Sequence, residues 1–170
     1  IGGKYNKDAY KYCAGYNYDD SEIVGFSHTH FSGTGHSDLG DFLIMPTIGP
    51  LQLEPGTKGD PKSGFRSGFS HANETAEAGY YKVRLDDDSI LAEMTATTRV
   101  GMHQYTMPAS DNAHIVLDLM HGIYNYGDKN VWTFVRVEND HTIVGYRQTN
   151  GWARTRTVYF AMEFSKPFTS

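Results

Sequence analysis

At 170 residues and 19.0 kDa, the chain is long enough for one independent core. Its 39% hydrophobic and 14% aromatic content places it in the globular rather than the disordered class. A formal net charge of -5 argues against a nucleic-acid partner, which requires a basic face or stripe, and no run approaches the ~20 apolar residues of a membrane helix.

The chain opens on Ile1 without a charged segment followed by an apolar one, so nothing about export follows from its start. Cys13 is the single cysteine. It has no partner for an internal disulfide and no neighbour that would lower its pKa, so it reads as buried or idle. Residues 22–27, EIVGFS, read as a strand that runs towards His28-Thr29-His30. If it continues, His28, His30 and Ser32 project on one side and Thr29 and Phe31 on the other. Gly33-Thr34-Gly35 then breaks the pattern, and glycines there permit positive φ and the close approach of another group.

The stretch GFSHTHFSGTGHSDLGD (25–41) therefore has three readings. His28 and His30 with Asp38 and Asp41 form a ligand set acceptable to zinc, manganese or iron. Neutral imidazoles, which both donate and accept, together with Ser, Thr and Asp suit the hydroxyls of a sugar whose apolar face packs on an aromatic ring. The same histidines can also simply be held by hydrogen bonds to loop backbone.

Residues 46–65, spaced by Pro50, Pro55 and Pro61, read as a surface loop. In FSHANE (69–74), Glu74 invites a general-acid role and His71 a proton-shuttle role. The competing reading has Ser70 or Asn73 capping a short turn, with Glu74 reaching back to a backbone N–H. Residues 73–78 have helical flavour but are too few for more than a turn. The alternation of YYKVRL (80–85) is that of a half-buried strand. Asp86-Asp87-Asp88-Ser89 follows as a solvated hairpin turn, with calcium binding as its alternative.

The run 90–107 is too long for one strand and is expected to divide in two, with a bulge or bend at Gly101. Strands are further expected over 114–119, 130–137, 142–148 and 157–164, with turns at Glu138-Asn139-Asp140 and Asn150-Gly151. The pattern predicts an all-β, antiparallel meander. No βαβ alternation supports a parallel nucleotide-binding sheet.

Three blocks carry a resemblance: GFSHTHFSGTGHSDLGDFLIMPTIG (25–49), FSHANETAEAGYYKVRL (69–85) and AEMTATTRVGMHQYTMP (92–108). In this order and spacing they resemble the amino-terminal domain of glycoside hydrolase family 92, the calcium-dependent exo-acting α-mannosidases. The likeness runs from Ala14-Gly15-Tyr16 through the strands around Trp132 and Tyr146. It implies an antiparallel β-sandwich of the supersandwich kind with few or no helices, forming one domain over 1–170. In the intact protein a large (α/α) helical barrel would follow, with the active site at the junction and an apolar docking face left exposed on the sandwich.

Members of the family invert, using a Glu as general acid, an Asp as general base and a calcium ion, all supplied by the helical domain. The resemblance thus implies no catalytic residue and no metal in this chain, calcium held mainly by the missing domain, and an isolated chain without activity. It implies that His28, His30, Ser32, Gly33, Thr34, Gly35, Asp38 and Asp41 meet sugar or the helical domain, with His71 and Glu74 as a second polar cluster. His36 stands where relatives often have cysteine or another small residue, so no role carries over to it. The partners implied are mannose-containing glycans, cleaved with α-1,2-type specificity, and the chain's own carboxy-terminal helical domain. The location implied is secreted, periplasmic or cell-surface. A free-standing carbohydrate-binding module is the alternative, and a metal enzyme built on His28 and His30 a third reading.

Overall fold

The computed structural model describes residues 15–31, 39–123 and 129–169. Its strands are β1 (Glu22–Ile23), β2 (Phe26–His28), β3 (Asp41–Ile48), β4 (Ser67–Gly68), β5 (Glu74–Glu77) and β6 (Tyr80–Leu85). They continue with β7 (Ile90–Ala96), β8 (Gly101–Thr106), β9 (Ala113–Asp118), β10 (Asn130–Asn139), β11 (Thr142–Thr149) and β12 (Arg156–Glu163). The helical residues among those described are two 3-10 turns, Pro61–Ser63 and His71–Asn73. The fold is all-β and antiparallel, as the strand pattern predicts.

The residues gather into two compact units. One comprises Asn17–His28 and Phe42–Asp118, and the other the described parts of Thr29–Asp41 and Leu119–Ser170 with Gly15 and Tyr16. The first is a β-sandwich. A three-stranded sheet in the order β2-β3-β9 supplies Leu43, Met45 and Val116 to the core, and a four-stranded sheet β5-β6-β7-β8 supplies Val83, Leu85, Ile90 and Ala92. Phe65 and Phe69 join the same cluster. The alternation of YYKVRL directs this packing: Val83 faces Ala92 and Leu85 faces Ile90 across the β6–β7 ladder, and all four are 0–1% exposed.

β3 departs from expectation, because the strand runs through Pro46 to Ile48 where a loop is predicted from Pro46 onward. Asp41 to Thr47 are all buried, so the strand has no polar face and shows no period-two signal. Proline is admitted because β2 has three residues against eight in β3, which among the described residues leaves most of β3 without a ladder partner on that side. The long 90–107 run does divide in two. Its break is a tight turn in which the Thr97 N–H donates to the Val100 carbonyl at 2.8 Å. Gly101 opens β8, and the β7–β8 register runs on without a bulge. Residues 74–77 form strand β5, paired with β6 as a hairpin, in place of the expected turn.

The second unit contains the meander β10-β11-β12. One face carries the cross-strand row Phe134, Tyr146 and Tyr159, with successive ring centroids 5.5 Å apart. Trp132 and Tyr159 on that face are 61% and 73% exposed. On the other face Gly145 lies between Val135 and Phe160. A Cβ there would fall 2.2 Å from the Phe134 carbonyl oxygen and 2.7 Å from the Phe160 ring, so the position accepts no side chain.

Candidate functional site

β2 ends at His28, and Thr29 adopts φ 57, so the continuous strand that would place His28, His30 and Ser32 on one side does not form. The turn aims Thr29 at Asp41 instead. The Thr29 carbonyl accepts the Gly40 N–H at 2.9 Å, its hydroxyl donates to Asp41 Oδ2, and that hydroxyl oxygen receives the Asp41 N–H at 3.3 Å.

Asp41 is 1% exposed and its carboxylate is enclosed by cations. Arg156 donates bidentately, Nη1 to Oδ2 at 2.8 Å and Nη2 to Oδ1 at 2.9 Å. Arg147 Nη1 stands 3.4 Å from Oδ1. Arg147 is itself fully buried and donates to Asn130 Oδ1, from Nε at 2.9 Å and Nη2 at 2.5 Å, and to the His121 carbonyl. A fork-to-fork pair of this kind fixes both partners in angle as well as distance.

Arg156 also contacts the Thr149 hydroxyl at 3.4 Å, and both residues line a cavity of about 260 Å3. Its other walls include Phe31, Leu39 and Trp152. The Phe31 and Trp152 rings lie 5.8 Å apart at 57°, and Trp152 is 65% exposed. Sequence reading passes over this cavity. The available signal was Trp152 itself, a large apolar ring set directly after the Asn150-Gly151 turn, where burial is hard to arrange.

His28 and His103 stack with centroids 5.0 Å apart. His28 Nδ1 lies 2.9 Å from the Phe42 carbonyl. A carbonyl only accepts, so Nδ1 donates. Nε2 faces Gly101, where an added Cβ would come within 2.9 Å. His103 Nδ1 pairs with the Tyr105 hydroxyl at 2.7 Å. Burial first, and then the neighbouring His28, push the His103 imidazole down to about 4.

A group whose folded pKa is depressed contributes stability that is whole above its unfolded value and is lost as pH falls. For His103 the loss begins near 6.5 and proceeds down through about 4. Urea midpoints of wild type and His103→Gln, compared across this window, should converge as the pH drops. Parallel midpoint curves would show that His103 is not the group titrating.

His71 and Glu74 do come together. His71 Nδ1 meets Glu74 Oε2 at 2.5 Å, and His71 Nε2 meets the Tyr18 carbonyl at 2.6 Å. Both ring nitrogens face acceptors, so the imidazolium is favoured, and Glu74 ahead of other causes raises the His71 pKa. Glu74 Oε1 accepts the Tyr81 hydroxyl at 2.6 Å, and Tyr18 stacks on His71 at 4.1 Å. Glu74 thus bridges side chains rather than reaching back to a backbone N–H, whereas Ser70 does cap the turn by accepting the Ala72 N–H at 3.3 Å.

The aspartates after β6 have structural work. Asp87 Oδ2 accepts the Gly68 N–H at 2.7 Å and the Ser67 hydroxyl at 3.1 Å, and Asp88 Oδ2 accepts the Ile48 N–H at 2.8 Å. Among the described residues no group of three or more His, Cys, Asp or Glu side chains stands close enough to hold a metal ion. Ser32, Gly33, Thr34, Gly35, His36 and Asp38 lie outside the described residues, as does Cys13. No helix among the described residues is long and apolar enough to cross a membrane.

Residues 4–170 match the profile of the Glycosyl hydrolase family 92 N-terminal domain. Among solved structures, the chain is similar to the family GH92 alpha-mannosidase BT3965 from Bacteroides thetaiotaomicron, with 46% identity and a TM-score of 0.88 over 94% of this chain. The same enzyme in complex with mannoimidazole gives 46% identity and a TM-score of 0.86 over 92%. The GH92 family glycosyl hydrolase ccman5 is 28% identical, with a TM-score of 0.67 over 87%. An uncharacterized secreted glycosidase of Arthroderma benhamiae is 31% identical over 96 residues, 55% of this chain. The chain spans 20–21% of the length of these solved structures and 12% of the fungal protein.

Proposed function

Because the chain belongs to glycoside hydrolase family 92, as its amino-terminal domain, we propose that the intact protein is an exo-acting α-mannosidase that releases mannose from glycans, with preference for the α-1,2 linkage. The observation that carries this reading is the 46% identity to an α-mannosidase of the same family over 94% of the chain. The 170 residues act as a single domain that forms one wall of the sugar pocket, against a carboxy-terminal helical domain. That domain supplies the acid and base carboxylates of an inverting reaction. Calcium, where the enzyme uses it, is held mainly by that domain too. The intact protein works outside the cytoplasm, at the cell surface, in the periplasm or as a secreted enzyme.

In this reading His28 to Asp41 borders the pocket or its partner domain. The buried Asp41–Arg156 pair holds the base of the 29–41 segment in place, and the cavity beside Phe31 and Trp152 lies next to that segment in the chain. His71 and Glu74 order the turn before β5.

The intact protein, incubated with α-1,2-, α-1,3- and α-1,6-linked mannobioses in calcium and in EDTA, should release mannose fastest from the α-1,2 dimer, first as the β anomer. EDTA should abolish the release. The 170-residue chain alone should release none. No release by the intact protein from any mannobiose would sink the mannosidase reading, and mannoside binding by both without hydrolysis would favour a binding module.

A further inference from the structure

We propose that the aromatic face of the β10-β11-β12 meander is the docking surface for the carboxy-terminal domain of the same chain, with Trp132, Phe134, Tyr146 and Tyr159 as its apolar centre. This rests on the proposed function in one respect, that the intact chain continues past residue 170 into a further domain. In the central strand β11, Ile143, Gly145, Arg147 and Thr149 are buried, while Val144, Tyr146 and Gln148 between them are half-buried. The sheet thus has one covered face and one open face. An antiparallel sheet normally turns polar residues to water on its open side. Here Phe134, Tyr146 and Tyr159 form one cross-strand row on it, with Trp132, Gln148 and Thr157 in the row to one side and Arg136 to the other. Phe134 is 41% exposed, between the more exposed Trp132 and Tyr159. Adjoining exposed rings, unlike scattered ones, mark an interface, and an aromatic centre within a polar rim is the anatomy of a protein–protein contact.

The path of the chain after β12 identifies the occupant. The Phe164 N–H donates to the His141 carbonyl and the Phe168 N–H to the Asp140 carbonyl, each at 2.8 Å. The two Phe rings meet with centroids 5.0 Å apart. The segment leaving β12 is therefore fastened to the β10–β11 turn, at one end of the aromatic face. At about 3.3 Å per residue, the eight residues of β12 put the whole face within about one strand length of that anchor. A domain joined there by a short linker meets the face at an effective concentration on the order of millimolar, which a second copy in solution does not match. The chain spans 20–21% of the length of the solved relatives, so a domain large enough to cover four rings is available. No charged side chain stands in the row of Phe134, Tyr146 and Tyr159, so the surface that meets it is apolar.

The test uses the full-length protein. Under hydroxyl-radical footprinting, Trp132 and Tyr159 should oxidise about tenfold more slowly in the native protein than in its tryptic digest. Protection by a tethered domain should persist over about a hundredfold dilution, since it does not depend on protein concentration. Trp132→p-benzoylphenylalanine, irradiated, should join the peptide carrying position 132 to a peptide from beyond residue 170, in a product of monomer mass. A crosslink at dimer mass, or protection lost on dilution, would assign the face to a second copy and overturn the docking. A crosslink confined to other residues of 1–170 or to residues before them overturns it too, as does native oxidation as fast as in the digest. The footprint is read on the wild-type chain, so it decides even where the variant fails to fold. Neither readout uses turnover. A protein that releases mannose with Trp132 freely oxidised keeps the mannosidase reading and loses the docking, and an inactive protein with a protected, crosslinked face does the reverse.

Discussion

Asp41→Ala is expected to destabilise the chain by about 3–5 kcal/mol, the cost of removing one partner from a buried ion pair. The carboxylate is 1% exposed and is held by Arg156, Arg147 and Thr29. Its removal affects the two arginines differently. Arg156, whose side chain is 23% exposed, can turn towards water and recover part of its hydration. Arg147 has a side chain with no exposure and stays where Asn130 and the His121 carbonyl hold it, now as a buried cation that has lost the Asp41 carboxylate. The penalty therefore sits mainly on Arg147.

That assignment predicts non-additivity. Arg147→Met alone removes a buried charge and its hydrogen bonds, but in the Asp41→Ala background it also removes a buried cation that has lost the Asp41 carboxylate. The double variant should be destabilised by less than the sum of the two single changes, with a coupling in the range of about 0.5–3 kcal/mol typical of directly interacting residues. Urea unfolding of the four proteins measures it. A strictly additive cycle would mean that Arg147 does not depend on Asp41 for its charge, and that the Asp41→Ala loss arises at Arg156 and Thr29.

The same pair marks the limit of what the sequence discloses. Strands with one buried face were legible: the alternation of 80–85 and the long run after 90 locate β6, β7 and β8, because period two is the imprint of a half-covered sheet. β3 was not legible, since Asp41 to Thr47 are all buried and a strand covered on both faces has no alternation to show. Asp41 was recognisable as a polar residue in a site-like stretch, but Arg156 lies 115 residues away and no spacing rule connects them. Thr29 could not be read as the end of β2 either, because its φ of 57 is imposed by contacts to Gly40 and Asp41. The His71–Glu74 pair was the opposite case. Three residues apart on a short turn, it lay within reach of local reasoning, and only Tyr18 and Tyr81 required the fold.

Leu43→Ala should cost about 2–5 kcal/mol, the range for truncating a buried leucine. Leu43 is 1% exposed in β3, within the cluster fed by both sheets of the sandwich. The contact that makes it diagnostic is with Gly25. A Cβ at Gly25 would lie 2.8 Å from Leu43 Cγ and 3.0 Å from its Cδ1, with the Ile44 carbonyl oxygen also at 3.0 Å. Gly25→Ala alone therefore overpacks this point, at a cost of about 1–3 kcal/mol. In the Leu43→Ala background the two side-chain clashes vanish, leaving the Ile44 carbonyl and the strain of Gly25's φ of 157. Gly25→Ala should then cost less than it does in the wild type, since its methyl enters space the leucine vacated. If guanidinium midpoints instead show Gly25→Ala equally damaging in both backgrounds, the glycine is required by its own φ of 157 and the Ile44 backbone and not by the leucine. The GF dipeptide opening the GFSHTH stretch would then serve the strand's path rather than its packing.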